Sequence, residues 1–125
     1  MKTEITAEYE FEAAHYLPNV PVGHKCGRLH GHNYRVLVTV CGEVRKKEGW
    51  IMDFATLDAL VEKWILQKLD HQKLNDISKL ENPTAENIAR WIFWRLYENG
   101  ALLNAIRRVE VWETRRYSAS FGGDA

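Results

Sequence analysis

Alternating apolar and polar residues predict the strands of this chain. Between residues 3 and 14, glutamates hold most positions of one parity, and the other parity is apolar: Ile5, Ala7, Tyr9 and Phe11. Successive side chains of a strand point to opposite faces, so residues 3–14 are predicted to form a half-buried strand. Residues 32–44 repeat the pattern with β-branched and aromatic residues, and residues 108–114 alternate again. Three strands are predicted, and Trp50-Ile51-Met52 is expected to extend the sheet.

Apolar residues at helical spacing predict two helices. The first follows Asp53, whose carboxylate can cap free amide groups, and it continues to about residue 69. The second begins at Asn82-Pro83-Thr84 and stops at Asn99-Gly100. Residues 16–29 are rich in proline and glycine and predict a long loop, while residues 70–81 are polar and irregular. The pattern predicts one α+β domain over residues 1–125, with helices covering one face of the sheet.

Composition and charge argue against several classes of function. The chain has 125 residues, of which 46% are hydrophobic, enough for one domain with its own core. Seventeen basic and seventeen acidic residues cancel, so no overall field attracts nucleic acid or an anionic membrane. No apolar run approaches the roughly 20 residues that cross a bilayer. Two cysteines and no secretory leader predict a reducing, cytoplasmic location.

Candidate metal ligands lie in the segment Cys26-Gly27-Arg28-Leu29-His30-Gly31-His32. His30 and His32 are two residues apart, so in an extended backbone both imidazoles face one side and can reach one ion. A catalytic zinc usually has three protein ligands, and His15 at the end of the first strand is the best third candidate. On the pair alone, two partly exposed strand histidines are an equal alternative. The glycines further indicate a tightly turned backbone here.

Cys26 has two interpretations. A thiolate is a base and a nucleophile, and nearby cations lower its pKa from about 8.5. Alternatively, Cys26 is a fourth zinc ligand and closes a structural site of one cysteine and three histidines. The first interpretation predicts catalysis beside the metal, whereas the second predicts a metal that only stabilises the fold.

Two further groups carry candidate chemistry. Asp70-His71 follows the first predicted helix, and a carboxylate near a histidine favours its charged form and fixes its orientation. Adjacent residues do not usually face each other, so a solvated helix end is the alternative. Glu113 continues the parity of the last strand; it is either an exposed strand end or a pocket carboxylate that accepts two parallel N–H donors.

Taken together, these motifs resemble the 6-pyruvoyltetrahydropterin synthase family. The resemblance extends over nearly the whole chain and is carried by an ordered set of segments: Phe11-Glu12-Ala13-Ala14-His15, residues 26–32, Trp50-Ile51-Met52-Asp53-Phe54, Leu69-Asp70-His71, Asn75-Asp76, Glu81-Asn82-Pro83-Thr84-Ala85-Glu86 and Glu113-Thr114. Within the family, the residues of these motifs are most similar to those of the bacterial branch, the 6-carboxy-5,6,7,8-tetrahydropterin synthases of queuosine (7-deazapurine) biosynthesis.

The resemblance implies a fold and an assembly. The fold is the tunnelling fold, a four-stranded antiparallel sheet with two helices packed on one face. Sheet edges join three chains into a barrel, and two trimers commonly stack, so a homohexamer is implied. The pockets then lie between subunits, and Cys26 and the Asp70-His71 pair come from different chains.

The resemblance also implies a reaction. It converts 7,8-dihydroneopterin triphosphate to 6-carboxytetrahydropterin, with release of acetaldehyde and triphosphate. Zn²⁺ on His15, His30 and His32 is expected to bind side-chain oxygens of the substrate. Cys26 is the expected general base, and His71 is its partner acid or base, tuned by Asp70.

The same resemblance implies binding residues for the substrate. Glu113 is expected to hold the amino and ring N–H edge of the pterin, with Thr84 and Glu86 at the start of the second helix also in contact. Lys25 and Arg28 are expected contacts of the triphosphate. Two alternatives stay open: a 6-pyruvoyltetrahydropterin synthase, which eliminates triphosphate without releasing acetaldehyde, and a zinc-braced binding module without catalysis.

Overall fold

One sheet organises the chain. The structure is a computed structural model that describes residues 2–99, 102 and 105–123. Within this part of the chain, five strands pair in the order β3-β1-β2-β4-β5. They are β1 Thr3–His15, β2 His30–Gly42, β3 Gln72–Lys73, β4 Ile106–Trp112 and β5 Ser118–Gly122. The pairs β1–β2, β2–β4 and β4–β5 are antiparallel, whereas β3 runs parallel to β1.

The strand count differs slightly from the expected antiparallel four, which β1, β2, β4 and β5 supply. The addition, β3, pairs only with Ala13 and Ala14 and lies in the segment predicted to be irregular. Two residues are too few to show the alternation of a strand, so the sequence pattern could not predict β3. Trp50-Ile51-Met52 forms bends and not a strand, and that prediction is wrong.

The helices follow the predicted pattern. The first comprises α1 Phe54–Val61, a π-helical turn Glu62–Leu66 and α2 Gln67–Leu69. It begins after Asp53, whose carboxylate accepts the Ala55 N–H at 2.9 Å. The second, α3 Ala85–Glu98, is capped by Thr84, whose hydroxyl oxygen accepts the Asn87 N–H at 3.1 Å. The predicted start after Asp53 is confirmed. The second helix starts where predicted, but Pro83, which was expected in the first turn, precedes the Thr84 cap. Of the predicted stop, Asn99 follows α3 directly and Gly100 lies outside the described residues.

The apolar face of the sheet packs on the helices. Buried strand residues and buried helix residues form one cluster that includes Phe11, Tyr34, Val36, Val38, Val109, Val111, Leu57, Val61, Ile65, Ile88 and Ile92. The register pairs Phe11 with Tyr34 and His15 with His30. Directly opposed residues share a face, so the histidines continue the core face beyond the last apolar residues.

Strand β1 pairs with β2 along its whole length, but on its other side it is paired along only part of its length. Because β3 covers Ala13 and Ala14 alone, residues 3–12 have no strand on that side within the described part of the chain. A long unpaired edge is a template for another strand.

Among the described residues, no helix has both the length and the apolar character that crossing a membrane requires.

Candidate metal centre and active site

Three imidazoles meet where β1 ends and β2 begins. Their centroids lie 4.6 Å apart for His15 and His30, 5.1 Å for His15 and His32, and 4.9 Å for His30 and His32. One ligand nitrogen from each ring lies within 4.8 Å of the others, a spacing at which they could hold one metal ion. The strand register causes this meeting, since His15 pairs with His30 and Ala13 pairs with His32.

Backbone carbonyls orient two of the rings. Nδ1 of His15 lies 2.8 Å from the Pro83 carbonyl oxygen, and Nδ1 of His30 lies 2.6 Å from that of Arg28. A carbonyl oxygen only accepts, so each Nδ1 carries the proton and each Nε2 keeps its lone pair. Nε2 of His15 is buried, as is Nε2 of His32, and neither has a hydrogen-bond partner among the described residues. Orphaned imidazole nitrogens held by such outer contacts are typical of a metal site.

Burial keeps the imidazoles of His15 and His32 neutral. Burial lowers the pKa of His15, outweighing the raising effects of the Pro83 hydrogen bond and the Glu113 charge. Burial likewise lowers the pKa of His32, against the opposing charge of Glu113. Metals bind the neutral imidazole, so both shifts favour coordination near neutral pH.

Tyr34 and Glu113 border the imidazoles. The Tyr34 hydroxyl lies 3.1 Å from Nδ1 of His15, and burial together with the Glu113 charge raises the pKa of Tyr34, which therefore stays protonated. Glu113 directly follows β4, and its Oε1 lies 3.4 Å from Nε2 of His32. The end of β4 thus places a carboxylate beside His32, and the exposed strand end, one of the two alternatives for Glu113, is not what the structure has.

Cys26 lies on a short 3₁₀ turn, Lys25–Gly27, in the loop that precedes His30. Its N–H donates to Nδ1 of His24 at 3.0 Å, and its carbonyl accepts the Leu17 N–H at 2.8 Å. The thiol is partly exposed and is not a member of the three-histidine group. The loop therefore presents a fixed turn with a free cysteine beside the start of β2.

Asp70 and His71 bond each other directly. Oδ1 of Asp70 lies 3.0 Å from Nδ1 of His71 and also accepts the Glu12 N–H at 3.0 Å. His71 has φ +59° and donates its own N–H to the Glu12 carbonyl at 2.6 Å. This left-handed backbone, which histidine tolerates better than most residues, lets adjacent side chains meet. The adjacent side chains of Asp70 and His71 were not expected to face each other, and the sequence pattern did not predict this backbone conformation.

An open hollow of about 560 Å³ lies beside His71. Its lining includes His32 from the imidazole group, and its other walls are Glu12, Ala13, Ala14, Gly31, Asn33, Gln72 and Lys73. Cys26 is not part of this lining. Within one chain, the hollow is therefore lined by His71, one of the two predicted proton-transfer residues, but not by the other, Cys26.

The remaining predicted residues are more dispersed. Thr84 caps α3, and Glu86 is exposed in the first turn of that helix. Lys25 and Arg28 are exposed on either side of Cys26, and the contact that Arg28 makes with the site is through its backbone carbonyl.

Two residues that hold His15 and its neighbour in place were not predicted from the sequence. Pro83 supplies a carbonyl to His15, so the start of α3 is tied to the imidazoles. Asn75 accepts the Tyr16 N–H at 3.0 Å and donates to the Tyr16 carbonyl at 2.8 Å, which fixes the chain directly after His15. Only the Asn75-Asp76 and Glu81–Glu86 motifs signalled these segments, and neither motif specifies a contact.

The prediction of a tightly turned backbone at Gly27 and Gly31 is correct for Gly27 and wrong for Gly31. Gly31 lies within β2, pairs with Ala14, and has room for a Cβ, whose nearest neighbour would be 3.6 Å away. The backbone between the two histidines is thus regular strand. Only Gly27 lies in a tight turn.

The Asp70 carboxylate makes a pH-dependent prediction. Its pKa is below the ordinary value, first because it accepts the Glu12 N–H and then because of His71. A lowered folded-state pKa stabilises the fold above the unfolded value of about 3.9, and this stabilisation is lost as pH falls through the folded pKa. We expect Asp70→Asn to lower the free energy of unfolding, measured by urea denaturation at about pH 6, by less than about 1 kcal/mol because the group is well solvated. The difference between the two proteins should narrow as the pH falls below the unfolded value of about 3.9 and vanish below the folded-state pKa; a difference independent of pH contradicts the prediction.

The sheet, its two helical segments and the three-histidine centre define an α+β protein with a candidate metal site at one end of its core. A family profile described as 6-pyruvoyl tetrahydropterin synthase matches residues 4–124. The chain belongs to that family, and its fold is the tunnelling fold of its structural neighbours.

Known relatives differ in the reaction they are named for. A Synechocystis protein named 6-carboxy-5,6,7,8-tetrahydropterin synthase is 42% identical over 121 residues, covering 94% of this chain and 91% of the relative. A Pyrococcus furiosus protein named dihydroneopterin monophosphate aldolase is 36% identical, covering 94% and 95%. The solved 6-pyruvoyl tetrahydropterin synthase of Caenorhabditis elegans superposes with a TM-score of 0.90 at 26% identity, covering 99% and 97%.

Proposed function

We propose that this chain is a zinc-dependent carbon–carbon lyase that forms 6-carboxy-5,6,7,8-tetrahydropterin. The substrate is 7,8-dihydroneopterin triphosphate, one water is consumed, and acetaldehyde and triphosphate leave. The observation that carries the proposal is the set of three imidazoles, each with a ligand nitrogen within 4.8 Å of the others, in a chain 42% identical to a protein of that name. We place the reaction in queuosine biosynthesis and in the cytoplasm.

The metal proposal rests on the donor set. His15, His30 and His32 would hold zinc, because neutral imidazole nitrogen suits that ion and the cluster does not include Cys26. Bound zinc would act as a Lewis acid towards oxygens of the substrate side chain. The buried Nε2 of His15 supports a resident cation over an empty polar cluster, since an unpaired buried nitrogen is costly.

Proton transfer is assigned to Cys26 and His71. Cys26 would take a proton from the substrate side chain as a general base. His71 would be the partner acid or base, because Asp70 accepts from its Nδ1 and leaves Nε2 facing away from that bond. Asp70 thereby orients the ring and favours its protonated form.

Substrate binding is assigned to groups around these residues. Glu113 would accept the amino and ring N–H groups of the pterin, a bidentate pattern that suits a carboxylate. Thr84 and Glu86 would line the pterin pocket from the start of α3, which Pro83 ties to His15. The exposed cations Lys25 and Arg28, on either side of Cys26, would hold the triphosphate.

Assembly would complete the site. The open edge of β1 over residues 3–12 supports pairing with another copy, and we propose a homohexamer built from two trimers. Because Cys26 does not line the hollow beside His71, a thiol from a neighbouring chain is the natural partner of that histidine.

Product analysis tests the reaction. With 7,8-dihydroneopterin triphosphate, the proposed enzyme yields acetaldehyde and free triphosphate in equal amounts. Free triphosphate without an aldehyde would indicate the 6-pyruvoyl reaction, for which the Caenorhabditis elegans neighbour is named. A two-carbon aldehyde that still carries phosphate would indicate aldol cleavage, to which the name of the Pyrococcus furiosus relative points. Zinc binding without turnover would leave a non-catalytic module.

A further inference from the structure

A second hollow, the basic–aromatic groove, lies between α3 and the segment 67–79. It encloses about 760 Å³ and is lined by Gln67, Lys68, Gln72, Ile77, Ser78, Lys79, Asn87, Arg90, Trp91, Trp94, Arg95 and Glu98. That volume is in the range of small-molecule sites. Gln72 also lines the hollow beside His71, and the other lining residues differ. The groove is therefore a separate surface from the metal centre.

One indole in the groove forms an exposed platform. Trp94 is 43% exposed. Its ring is held edge-on by Phe93 at 5.2 Å and by Tyr97 at 5.3 Å between centroids. Phe121 also contacts the ring, with 6.0 Å between centroids. A large aromatic side chain that neighbouring rings hold in place and that remains partly exposed is suited to stacking with a flat heteroaromatic ring.

Arg95 is fixed in the groove wall. Its Nε donates to the Trp64 carbonyl at 2.5 Å, and its guanidinium lies 5.4 Å from the Trp64 ring and 5.2 Å from the Trp91 ring. Trp91 in turn donates its indole N–H to the Ser78 carbonyl at 3.2 Å. These contacts hold Trp91 and Arg95 in place, which leaves Trp94 as the exposed indole of the groove lining.

Unpaired positive charge surrounds this platform. The lining has four cations, Lys68, Lys79, Arg90 and Arg95, against the single acid Glu98, in a chain of net charge zero. Within the described residues, Lys68, Lys79 and Arg90 form no ion pair. Lys79 also has φ +67°, a conformation that glycine or asparagine adopts more easily. The lining of the groove therefore carries a net positive charge.

We propose that the basic–aromatic groove binds a nucleoside polyphosphate. The base stacks on Trp94, and the phosphates lie among Lys68, Lys79 and Arg90. One exposed indole accommodates one base, and the chain has no net positive charge to follow a longer polyanion, so a mononucleotide fits better than a nucleic acid strand.

Calorimetric titration with ATP and GTP tests this proposal on the metal-loaded full chain. Trp94→Ala should weaken binding about tenfold or more, as expected for loss of one base stack. Trp50→Ala is the matched control, because Trp50 is 42% exposed and lies outside the groove. Lys68→Glu with Lys79→Glu should abolish binding, whereas the same changes at Lys46 and Lys47 should not. Adenosine and inorganic triphosphate, titrated separately, should each bind more weakly than ATP.

Three outcomes overturn the proposal. The first is equal affinity in the Trp94 and Trp50 variants. The second is loss of ATP binding in His15→Ala, because the nucleotide would then occupy the metal centre, where the proposed substrate is also a heteroaromatic triphosphate. The third is a change of oligomer size in the groove variants by light scattering, which would make the groove a contact between copies of the chain.

Discussion

Replacing Cys26 with alanine should reduce turnover by about 10²–10⁴-fold while the metal stays bound. The size follows from the usual contribution of a general base. The metal should stay because the thiol is not a member of the three-histidine group, two of whose rings are oriented by backbone carbonyls. Steady-state kinetics with 7,8-dihydroneopterin triphosphate, together with metal content by mass spectrometry, measures both.

Cys41 provides the control for this variant. It is the other free cysteine and is also partly exposed, but it lies in β2 at the far end from the histidines. Cys41→Ala should keep turnover within about twofold, since surface and half-buried changes away from a site are mild. Parallel loss of metal and turnover in Cys26→Ala would instead show a closed structural centre, and the lyase proposal would fail.

Alanine at His15, His30 or His32 should each release the metal. Removal of contacts that merely support a ligand weakens metal binding about 10–100-fold, so loss of a ligand should cost at least 100-fold. Metal content after dialysis against a weak chelator should fall from near one ion per chain to near zero. Turnover should fall with it.

His24 and His32 make the metal experiment interpretable. His24→Ala removes an exposed loop histidine and should keep the metal, although it loosens the Cys26 turn. Loss of His15 also leaves the Pro83 carbonyl without its donor, which costs about 1–3 kcal/mol and lowers the melting temperature. His32→Ala removes a ligand without breaking a backbone hydrogen bond of this kind. A His32 variant that folds and keeps its metal would exclude the three-histidine site.

Strands β1, β2 and β4, the helix starts and the shared face of the candidate ligand pair were predictable because their causes are local. Period-two alternation assigns Phe11, Tyr34 and Val36 to one face, and the same period puts His30 and His32 on one side of β2. Asp53 and Thr84 cap helices through contacts two and three residues away. Such features depend on neighbouring residues and are readable before any packing is known.

The outer contacts of the site were not predictable in the same way. The Pro83 carbonyl meets His15 from 68 residues along the chain, and Asn75 holds Tyr16 from 59 residues away. No spacing rule connects such pairs, because packing brings them together. The Asp70–His71 bond depends on a left-handed backbone at His71, which the two residue types permit without requiring.

By itself, the sequence determined the faces of the strands, the starts of the helices, the two histidines that share one side of β2, and, through its ordered motifs, the family. The tertiary structure decided which nitrogen of His15 and of His30 is free, that the cysteine stays apart from the three rings, and that Trp94 lies among cations without ion pairs. The physical reason is distance: periodicity and capping act within a few residues, whereas orientation and charge environment depend on segments that only folding brings into contact.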